Sequence, residues 1–362
     1  MSARYCIVVM AGGTGGHVFP ALAVAERLRE LGHDVVWIGT RAGLEARVVP
    51  ARGLPVEWIT IGGLRGKGLL TLLMAPLKLL RALVQAVTIL RRRRPAVVIG
   101  LGGFVAGPGG LAAWLLRRPL IIHEQNAIAG VTNRLLAHLA RRVLEAFPDT
   151  FPVSGKRLTV GNPVRADIAA LPVPQLRLAG RSGRMRMLVL GGSLGALALN
   201  RAVPQALALL PPELRPDVRH QAGRTLDEAQ KAYAMAGLDI QPEAFIEDMA
   251  AAYAWADLVV CRAGALTVAE LAAVGLPAVL IPFPYAVDDH QTANAQYLVT
   301  AGAALLIQER DLTPQAFAAL LKPLLDDRMR LQQMAAAARD RAWPQARDRI
   351  VDECLALAGG AA

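Results

Sequence analysis

The sequence predicts an α/β protein built from two parallel-sheet domains, and three observations support this. Short apolar segments with strand character alternate with amphipathic helical segments in both halves of the chain, which is typical of parallel sheets covered by helices. A glycine-rich turn follows an apolar strand and opens a helix twice, at residues 12–17 and 191–196. The chain has 362 residues, which is too long for one ordinary core and fits two domains of about 150–200 residues each.

In the first half, strand and helix patterns follow one another in strict alternation. The predicted strands are residues 7–11, 35–39, 56–61, 96–99 and 120–124, and the predicted helices lie near 19–31, 43–52, from about 69, near 107–116 and at 129–140. Because helices separate these strands, we expect the strands to run parallel.

The second half restarts the same pattern after a break. Its predicted strands are residues 187–190, 258–261 and 278–281, and a helix is expected from about 266 to 274. Residues 169–183 carry prolines and glycines without sustained periodicity, which predicts an inter-domain linker. We expect a first domain at 1–165, a second at 166–340 and a C-terminal helix at 341–362 that packs back on the first domain.

Composition excludes several classes of protein. Hydrophobic residues make up 54% and charged residues 19% of the chain, which describes a globular protein and not a disordered one. The three cysteines (Cys6, Cys261 and Cys354) are odd in number and widely spaced, so we interpret them as free thiols in a reducing compartment. No secretory signal is expected, and Lys78 and Arg81 interrupt the most apolar stretch, residues 68–90, which argues against a spanning helix.

The basic charge is confined to the first half of the chain. Residues 1–165 contain 22 Lys and Arg against 8 Asp and Glu, a net charge of +14, whereas the remainder carries −3. A one-sided excess of this kind indicates that the first half faces an anionic surface or ligand.

The first glycine-rich turn reads Gly12-Gly-Thr-Gly-Gly-His17. It fits neither the G-x-G-x-x-G dinucleotide fingerprint nor a P-loop, because it has neither the third glycine nor the Lys-Ser/Thr ending. His17 stands just after the turn, where a neutral imidazole would accept a proton from a hydroxyl. The alternative is a histidine that only caps or packs, and the residues alone leave both interpretations open.

Three further segments of the first half combine strand ends with glycine or polar side chains. Residues 100–110 contain six glycines after a buried strand, which favours close approach of the backbone to a ligand. His123-Glu-Gln-Asn126 follows the strand 120–122, where open α/β sheets bind ligands. Gly161-Asn-Pro-Val-Arg165 ends on an arginine that is well placed for a phosphate.

The second half contains a candidate nucleotide site. Residues 261–270 read as strand, glycine turn and helix, and Glu270 falls one turn inside that helix, close enough to hydrogen-bond a ribose diol. An ordinary solvated glutamate is the alternative. No Asp-x-Asp pair occurs in the chain, so helix N-termini and arginine would neutralise a diphosphate, and we expect no metal and no cofactor.

Taken together, these segments resemble the peptidoglycan N-acetylglucosaminyltransferases, a family of GT-B glycosyltransferases. The resemblance covers essentially the whole chain and is highly specific in the order of its motifs. The matching segments are Gly12-Gly-Thr-Gly-Gly-His-Val-Phe-Pro20, Gly63-Leu-Arg-Gly-Lys-Gly68, Gly107-Pro-Gly-Gly-Leu111, His123-Glu-Gln-Asn126, Gly161-Asn-Pro-Val-Arg165, Gly191-Gly-Ser193 and residues 262–270. Departures at Phe104, Ala263 and His290 bear on individual sugar contacts and not on the reaction.

The resemblance implies a GT-B fold with two Rossmann-like domains facing across a cleft. It implies transfer of N-acetylglucosamine (GlcNAc) from UDP-GlcNAc to the C4 hydroxyl of N-acetylmuramic acid (MurNAc) in lipid I, with inversion at the anomeric carbon, to form lipid II for cell wall biogenesis, cell shape and division. His17 would be the catalytic base. The implied substrate-binding residues are Thr14, Gly15, Gly16, Asn126, Arg165, Ser193, Ile246, Ala265, Leu266, Thr267, Val268, Ala269, Glu270 and Gln291.

A lipid-linked acceptor implies a peripheral enzyme on the cytoplasmic face of the cell inner membrane, whose anionic inner leaflet would attract the basic first half. The expected contact residues are Lys67, Lys78, Arg81 and residues 91–94 around Leu69, Leu72, Leu73, Leu77, Leu80 and Val84, with Trp114, Leu115, Leu116, Arg117 and Arg118 as a second anchor. An ordinary core helix with a basic end explains the leucines but not the charge. Other cell-wall synthesis proteins are expected as further partners.

Two other kinds of function remain open from the residues. One is a GT-B transferase that acts on a soluble acceptor or on diacylglycerol. The other is a nucleotide-binding oxidoreductase or a non-catalytic nucleotide sensor, against which the missing fingerprint and the two substrate-binding halves argue. Nucleic acid is not expected as a partner, because aromatic residues are only 5% of the chain and no nucleic-acid module is recognisable.

Overall fold

The computed structural model describes residues 3–62, 74–192 and 194–360. The chain divides into two compact units. Unit 1 comprises Met1–Val164 together with Pro344–Ala362, and unit 2 comprises Arg165–Trp343. Both are α/β, as the alternation of strands and helices predicts.

Among its described residues, unit 1 contains a parallel sheet of seven strands. The strands are β1 (Cys6–Met10), β2 (Asp34–Gly39), β3 (Val56–Trp58), β4 (Val97–Gly100), β5 (Leu120–Glu124), β6 (Arg142–Glu145) and β7 (Arg157–Thr159). They lie in the order β3-β2-β1-β4-β5-β6-β7. The chain therefore builds outward from β1 to β3 and then crosses to the other side of β1, which creates a topological switch point between β1 and β4.

Helices cover both faces of this sheet because successive side chains of each buried strand point to opposite sides. Ile7 and Val9 belong to one core, and Val8 and Met10 belong to the other. In the part of unit 1 that the structure describes, the helices are Gly15–Glu30, Glu45–Ala51, Ala75–Arg93, Ala106–Leu115, Val131–Leu139 and Ala346–Ala358. The last of these joins the first core through Ile350, Val351, Cys354 and Leu357, and it packs beside Gly15–Glu30.

Unit 2 contains a parallel sheet of five strands. The strands are β8 (Arg186–Leu190), β9 (Asp217–Gln221), β10 (Leu258–Cys261), β11 (Ala278–Leu280) and β12 (Ala304–Leu306), in the order β12-β11-β10-β8-β9. Here the switch point lies between β8 and β10. The α-helices are Ala166–Ala169, Pro174–Arg177, Leu197–Ala208, Leu226–Met235, Met249–Trp255, Ala265–Val274, His290–Val299, Pro314–Leu325 and Arg328–Arg339, and short 3₁₀ turns cover Pro212–Leu214, Gly223–Thr225, Val287–Asp289 and Glu309–Asp311.

The expected linker at residues 169–183 is part of unit 2. It contains the short helix Pro174–Arg177, and its two arginines bind the backbone of that unit. Arg177 donates to the carbonyls of Ala256 at 2.9 Å and Gly275 at 2.7 Å, and Arg181 pairs with the buried carboxylate of Asp257. These charge-assisted bonds fix a segment whose own sequence lacks hydrophobic periodicity.

Several predicted elements differ in their bounds. The first helix begins at Gly15 and not near residue 19, so Gly15 and Gly16 of the turn are already helical. The short strands β6, β7 and β9, which contain polar residues, and the three-residue apolar strand β12 were not expected from the sequence. The start of the helix predicted from about residue 69 lies outside the described residues, and within residues 3–62, 74–192 and 194–360 no helix has the length and apolarity needed to cross a membrane.

Candidate functional site

The loops after β1 and β4 meet at the switch point of unit 1. Gly103 has a φ of +79°, and a Cβ on it would lie 2.2 Å from the carbonyl oxygen of Gly12. Only glycine allows this approach of the two backbones. The glycine turn predicted from the sequence and the second glycine-dense loop therefore form one surface at the carboxyl edge of the sheet.

The buried carboxylate of Glu45 stabilises the first glycine turn by accepting a hydrogen bond from its backbone. Glu45 has no exposed surface. Its Oε2 accepts a 2.9 Å hydrogen bond from the Gly13 amide, and its Oε1 accepts bonds from the amide and hydroxyl of Thr40 at 2.9 and 2.7 Å. The Gly13 N–H is thus committed within the protein, and Thr14, Gly15 and Gly16 form the part of the turn that leads into the helix.

His17 lies in the first turn of the helix Gly15–Glu30 and is partly exposed. Its Nδ1 lies 3.0 Å from Oε1 of Gln125, on the loop after β5. The ring also packs against the loop after β4, because a Cβ on Gly102 would lie 2.5 Å from Nδ1. The structure therefore fixes the orientation of the imidazole from two loops.

Gln125 and His123, which the sequence analysis noted only as polar neighbours, are fully buried. The Gln125 amide nitrogen lies 2.8 Å from the carbonyl of Leu101 and 3.2 Å from Nδ1 of His123. Nε2 of His123 lies 2.9 Å from the carbonyl of Gly161. Burial lowers the pKa of His123 to about 4, so its ring is neutral at physiological pH. The motifs at 123–126 and 161–165 are therefore physically linked.

Asn126, an expected substrate-binding residue, is held by the carboxylate of Glu124. Oε1 of Glu124 accepts from the amide and the side-chain nitrogen of Asn126 at 3.0 and 3.2 Å. Oε2 accepts from the Gly130 amide at 3.1 Å and from Asn133 at 2.9 Å. Glu124 thereby fixes the loop that precedes the helix Val131–Leu139.

In unit 2, the glycine turn after β8 packs against the loop after β9. A Cβ on Gly223, whose φ is +65°, would lie 2.3 Å from the amide nitrogen of Gly195 and 2.4 Å from the carbonyl oxygen of Gly192. The helix that follows begins at Leu197. Ser193, which the resemblance places in the donor site, lies outside the described residues.

A buried polar chain that the sequence analysis missed supports this second turn. Asn200, fully buried, donates to the carbonyl of Ala222 at 3.0 Å and to the hydroxyl of Thr225 at 2.7 Å. Its Oδ1 lies 2.9 Å from Nε2 of His220, whose Nδ1 lies 2.9 Å from the hydroxyl of Tyr233. Burial lowers the pKa of His220 to about 4. The sequence did contain one signal for Asn200, because it is a polar residue at a helix position where the periodicity predicts an apolar one.

Glu270 lies on the helix Ala265–Val274, next to β10 at the switch point. Its Oε2 accepts a 2.9 Å hydrogen bond from the hydroxyl of Tyr253, which is itself buried. Burial raises the pKa of Glu270 to about 7, although the Tyr253 bond and the charge of Arg165 act in the opposite direction. The expected residues Ala265, Leu266, Thr267, Val268 and Ala269 form the first turns of the same helix, whose N-cap Gly264 supplies no side-chain cap.

Arg165 begins unit 2 and contributes to the electrostatics of Glu270. Its Nε donates to Oδ1 of Asp167 at 3.2 Å, and a second nitrogen pairs with Oδ2 of the same carboxylate. Arg165 lowers the pKa of Asp167. The guanidinium is about half exposed, so solvent and anions reach it.

Two other expected residues make contacts that stabilise loops of unit 2. Ile246 is buried, and its amide donates to Oε1 of Gln221 at 3.0 Å. Gln291 lies in the first turn of the helix His290–Val299 and accepts a 2.9 Å bond from the amide of Phe283. Arg165 and Glu270 interact electrostatically, whereas Ile246 lies on a loop and Gln291 lies on the helix His290–Val299.

Comparison with known proteins identifies the family. Residues 7–145 match the glycosyltransferase family 28 N-terminal domain, and residues 186–350 match the glycosyltransferase family 28 C-terminal domain. The chain belongs to glycosyltransferase family 28. Each matched domain contains one of the two switch points described above.

Two curated family 28 relatives carry the name UDP-N-acetylglucosamine–N-acetylmuramyl-(pentapeptide) pyrophosphoryl-undecaprenol N-acetylglucosamine transferase. The protein of Nitrosococcus oceani is 61% identical over 355 residues, which cover 98% of this chain and 99% of the relative. The protein of Alkalilimnicola ehrlichii is 61% identical over 350 residues, covering 96% and 98%.

Solved structures agree with this family assignment. The crystal structure of Acinetobacter baumannii MurG matches with a TM-score of 0.85 and 44% identity, covering 97% of this chain and 99% of that one. The kitacinnamycin glycosyltransferase matches with a TM-score of 0.71 at 19% identity, covering 98% of this chain and 100% of that one. The latter similarity concerns the fold alone, and it confirms the prediction of two Rossmann-like sheets of the GT-B class.

Proposed function

We propose that this protein is an inverting glycosyltransferase that moves GlcNAc from UDP-GlcNAc to the C4 hydroxyl of MurNAc in lipid I, forming lipid II. The observation that carries the proposal is the match, over nearly the full length of both chains, to relatives at 61% identity that are named for this transfer. The geometry supports it, because each unit presents polar groups at the carboxyl edge of its sheet, at a switch point. Inversion by a single displacement requires a base at the attacking hydroxyl and stabilisation of the departing UDP.

In unit 1, His17 is the proposed base. It is the partly exposed histidine at the junction of the glycine turn and the first helix, and the loops after β4 and β5 fix its ring. A neutral imidazole accepts the proton of the C4 hydroxyl as that oxygen attacks the anomeric carbon of GlcNAc, and the C1–O bond to UDP breaks. We assign lipid I to unit 1.

In unit 2, the proposed donor site uses charge and free backbone amides and requires no metal. The guanidinium of Arg165 and the N-terminus of helix Ala265–Val274 would neutralise the negative charge that develops on the diphosphate of UDP. Glu270 would accept hydrogen bonds from the ribose hydroxyls. The other proposed donor contacts are Thr14, Gly15, Gly16 and Asn126 of unit 1 and Ser193, Ile246, Ala265, Leu266, Thr267, Val268, Ala269 and Gln291 of unit 2.

We also propose that unit 1 binds the anionic cytoplasmic face of the inner membrane as a peripheral protein. Large apolar side chains are exposed on the helix Ala75–Arg93 and on its neighbour Ala106–Leu115. The exposed apolar residues are Met74, Leu77, Leu79, Leu80, Val84, Trp114 and Leu115. Lys78, Arg81 and residues 91–94 add exposed positive charge on the same helix or at its end. Apolar insertion combined with basic charge is the pattern of interfacial helices. Other cell-wall synthesis proteins are proposed as partners at that surface.

The test of the function is transfer of radiolabelled GlcNAc from UDP-GlcNAc to a lipid I analogue. We expect lipid II to form with the intact protein and its kcat to fall by about 100-fold or more in His17→Ala, because a general base contributes about 10²–10⁴-fold. Glu270→Ala is expected to raise the KM for UDP-GlcNAc. A soluble sugar acceptor and diacylglycerol, assayed in parallel, address the other GT-B activities. Transfer to either of these but not to lipid I would refute the proposal.

A further inference from the structure

We infer that Gln125 is a positioning residue for His17: its side-chain amide holds the imidazole in the tautomer with the proton on Nδ1 and leaves Nε2 to accept the proton of the attacking hydroxyl. The inference rests on the proposed function for the role of His17 as base. It assigns a task to a side chain that is 1% exposed and that therefore meets no bulk solvent.

A buried chain of hydrogen bonds runs from the carbonyl oxygen of Gly161 through His123 and Gln125 to His17. The carbonyl oxygen of Gly161 can only accept a hydrogen bond, so Nε2 of His123, 2.9 Å away, carries a hydrogen. Burial keeps the His123 ring neutral, since it lowers the pKa of the ring to about 4. A neutral imidazole has one protonated nitrogen, and Nδ1 of His123 is therefore an acceptor.

The neighbours of the Gln125 side chain determine the orientation of its amide group. One end of this amide lies 2.8 Å from the carbonyl oxygen of Leu101 and 3.2 Å from Nδ1 of His123. Both of these atoms are acceptors, so that end must be the NH₂ group, which has two hydrogens to donate. The other end is then the amide oxygen, and it lies 3.0 Å from Nδ1 of His17.

The amide oxygen of Gln125 determines which ring nitrogen of His17 carries the proton. An amide oxygen only accepts, so a hydrogen bond at this distance requires a hydrogen on Nδ1 of His17. The lone pair of the neutral ring is then on Nε2. The imidazole also packs closely against Gly102, where a Cβ would lie 2.5 Å from Nδ1, so the ring has little room to move away from Gln125. A residue that orients a catalytic histidine in this manner governs whether the correct nitrogen is free to act as base.

The experiment labels the histidines with ¹⁵N and records the ring-nitrogen shifts of His17, which distinguish protonated from unprotonated nitrogens, in the intact protein and in three variants. Gln125→Met keeps the volume and removes both hydrogen-bonding ends. Gln125→Glu keeps an oxygen opposite Nδ1 of His17 and so preserves the acceptor. If the methionine variant does not fold, the tautomer of the intact protein still tests the inference. Gln345→Met makes the same substitution at an exposed position of unit 1 and is the matched control.

We expect an Nδ1–H tautomer in the intact protein, in the control and in Gln125→Glu, and loss of that preference in Gln125→Met. We also expect kcat to fall by about 10- to 100-fold in Gln125→Met, with partial recovery in Gln125→Glu and unchanged binding of UDP. In a His17→Ala background, Gln125→Met should have little further effect. An Nε2–H tautomer in the intact protein, or a full additional loss of kcat in that background, overturns the inference. Absence of any transfer to lipid I by the intact protein refutes the proposed function instead, and the tautomer is still read from the NMR shifts.

Discussion

The hydroxyl of Tyr253 donates a 2.9 Å hydrogen bond to Oε2 of Glu270, and this bond joins the helix Met249–Trp255 to the helix Ala265–Val274. Two opposing effects act on the pKa of this carboxyl group. Burial raises its pKa, whereas the Tyr253 bond and the charge of Arg165 lower it, and the outcome is a pKa of about 7. The pKa of Glu270 is therefore near neutrality, well above that of an ordinary glutamate.

The first prediction concerns the pH dependence of UDP binding. The ionised form of Glu270 accepts two hydrogen bonds from a ribose diol, whereas the protonated form has lost part of that capacity. Since the pKa is about 7, we expect the Kd for UDP to rise by about tenfold from about pH 8 to about pH 6. Calorimetric titrations at several pH values measure this change.

Two variants separate Glu270 from the phosphate of UDP, which has its own pKa of about 6. In Glu270→Gln, the part of the pH dependence due to this residue should disappear, and only the phosphate contribution should remain. In Tyr253→Phe, the loss of the bond that lowers the pKa should move the Glu270 midpoint to higher pH. An identical pH profile in the intact protein and Glu270→Gln would contradict the prediction.

The second prediction concerns Asp167, which competes with a bound diphosphate for the guanidinium of Arg165. Both carboxylate oxygens of Asp167 contact that guanidinium. Because exposed ion pairs contribute up to about 1 kcal/mol, we expect Asp167→Asn to lower the Kd for UDP by about two- to fivefold. Asp311→Asn removes the same charge from another exposed pair of unit 2, with Arg310, and should leave the Kd unchanged. Weaker binding in Asp167→Asn would show that Asp167 supports the site.

The third prediction compares two glycines with nearly the same backbone conformation. Gly223 and Gly237 have φ values of +65° and +66°, but a Cβ would collide with the backbone of Gly192 and Gly195 only at Gly223. We expect Gly237→Ala to cost about 1 kcal/mol of stability from backbone strain alone. Gly223→Ala should cost at least about 2 kcal/mol more, since the glycine turn must move.

Chemical denaturation of both variants measures this difference, and UDP binding reports whether the turn after β8 has shifted. We expect Gly237→Ala to bind UDP normally and Gly223→Ala to bind it more weakly at a temperature where both remain folded. Equal losses of stability in the two variants would mean that the close backbone contact is not what requires glycine at position 223.

The central strands of each sheet were predictable, because a strand that is buried on both faces consists of consecutive apolar residues. β1, β4 and β5 are of this kind, and each ends in the polar or glycine residues that the motifs identified. The strands β6, β7 and β9, which lack such a run, are not. β9 contains Asp217, Arg219, His220 and Gln221, so its strand character comes from pairing with β8 and not from an apolar pattern.

The candidate site shows the same division. The positions of His17 and Glu270 next to glycine turns at the switch points could be inferred from the sequence, because a titratable residue beside such a turn is a local signal, and their functional roles stay predictions. The function of Gln125 depends on His17, which is 108 residues away in the sequence, and that of Tyr253 depends on Glu270, which is 17 residues away. The sequence around Gln125 or Tyr253 does not indicate which residue will be its partner. The titration of Glu270 likewise follows from burial, which the sequence of a short helix does not reveal.

The last prediction concerns membrane binding by unit 1. Leu77 and Leu80 are 60% and 57% exposed, so their replacement should not affect folding. We expect the intact protein to bind vesicles that contain phosphatidylglycerol, less so at high salt because screening weakens the basic contacts. The double change of Leu77→Ser and Leu80→Ser should weaken binding by about tenfold or more, since each buried leucine contributes about 1.5–3 kcal/mol. Leu176→Ser, at a 72% exposed position of unit 2, is the control and should bind normally. Vesicle sedimentation measures binding by the intact protein at low and at high salt, by the double variant and by the control. Equal binding by the double variant and by Leu176→Ser would exclude the helix Ala75–Arg93 as the insertion site.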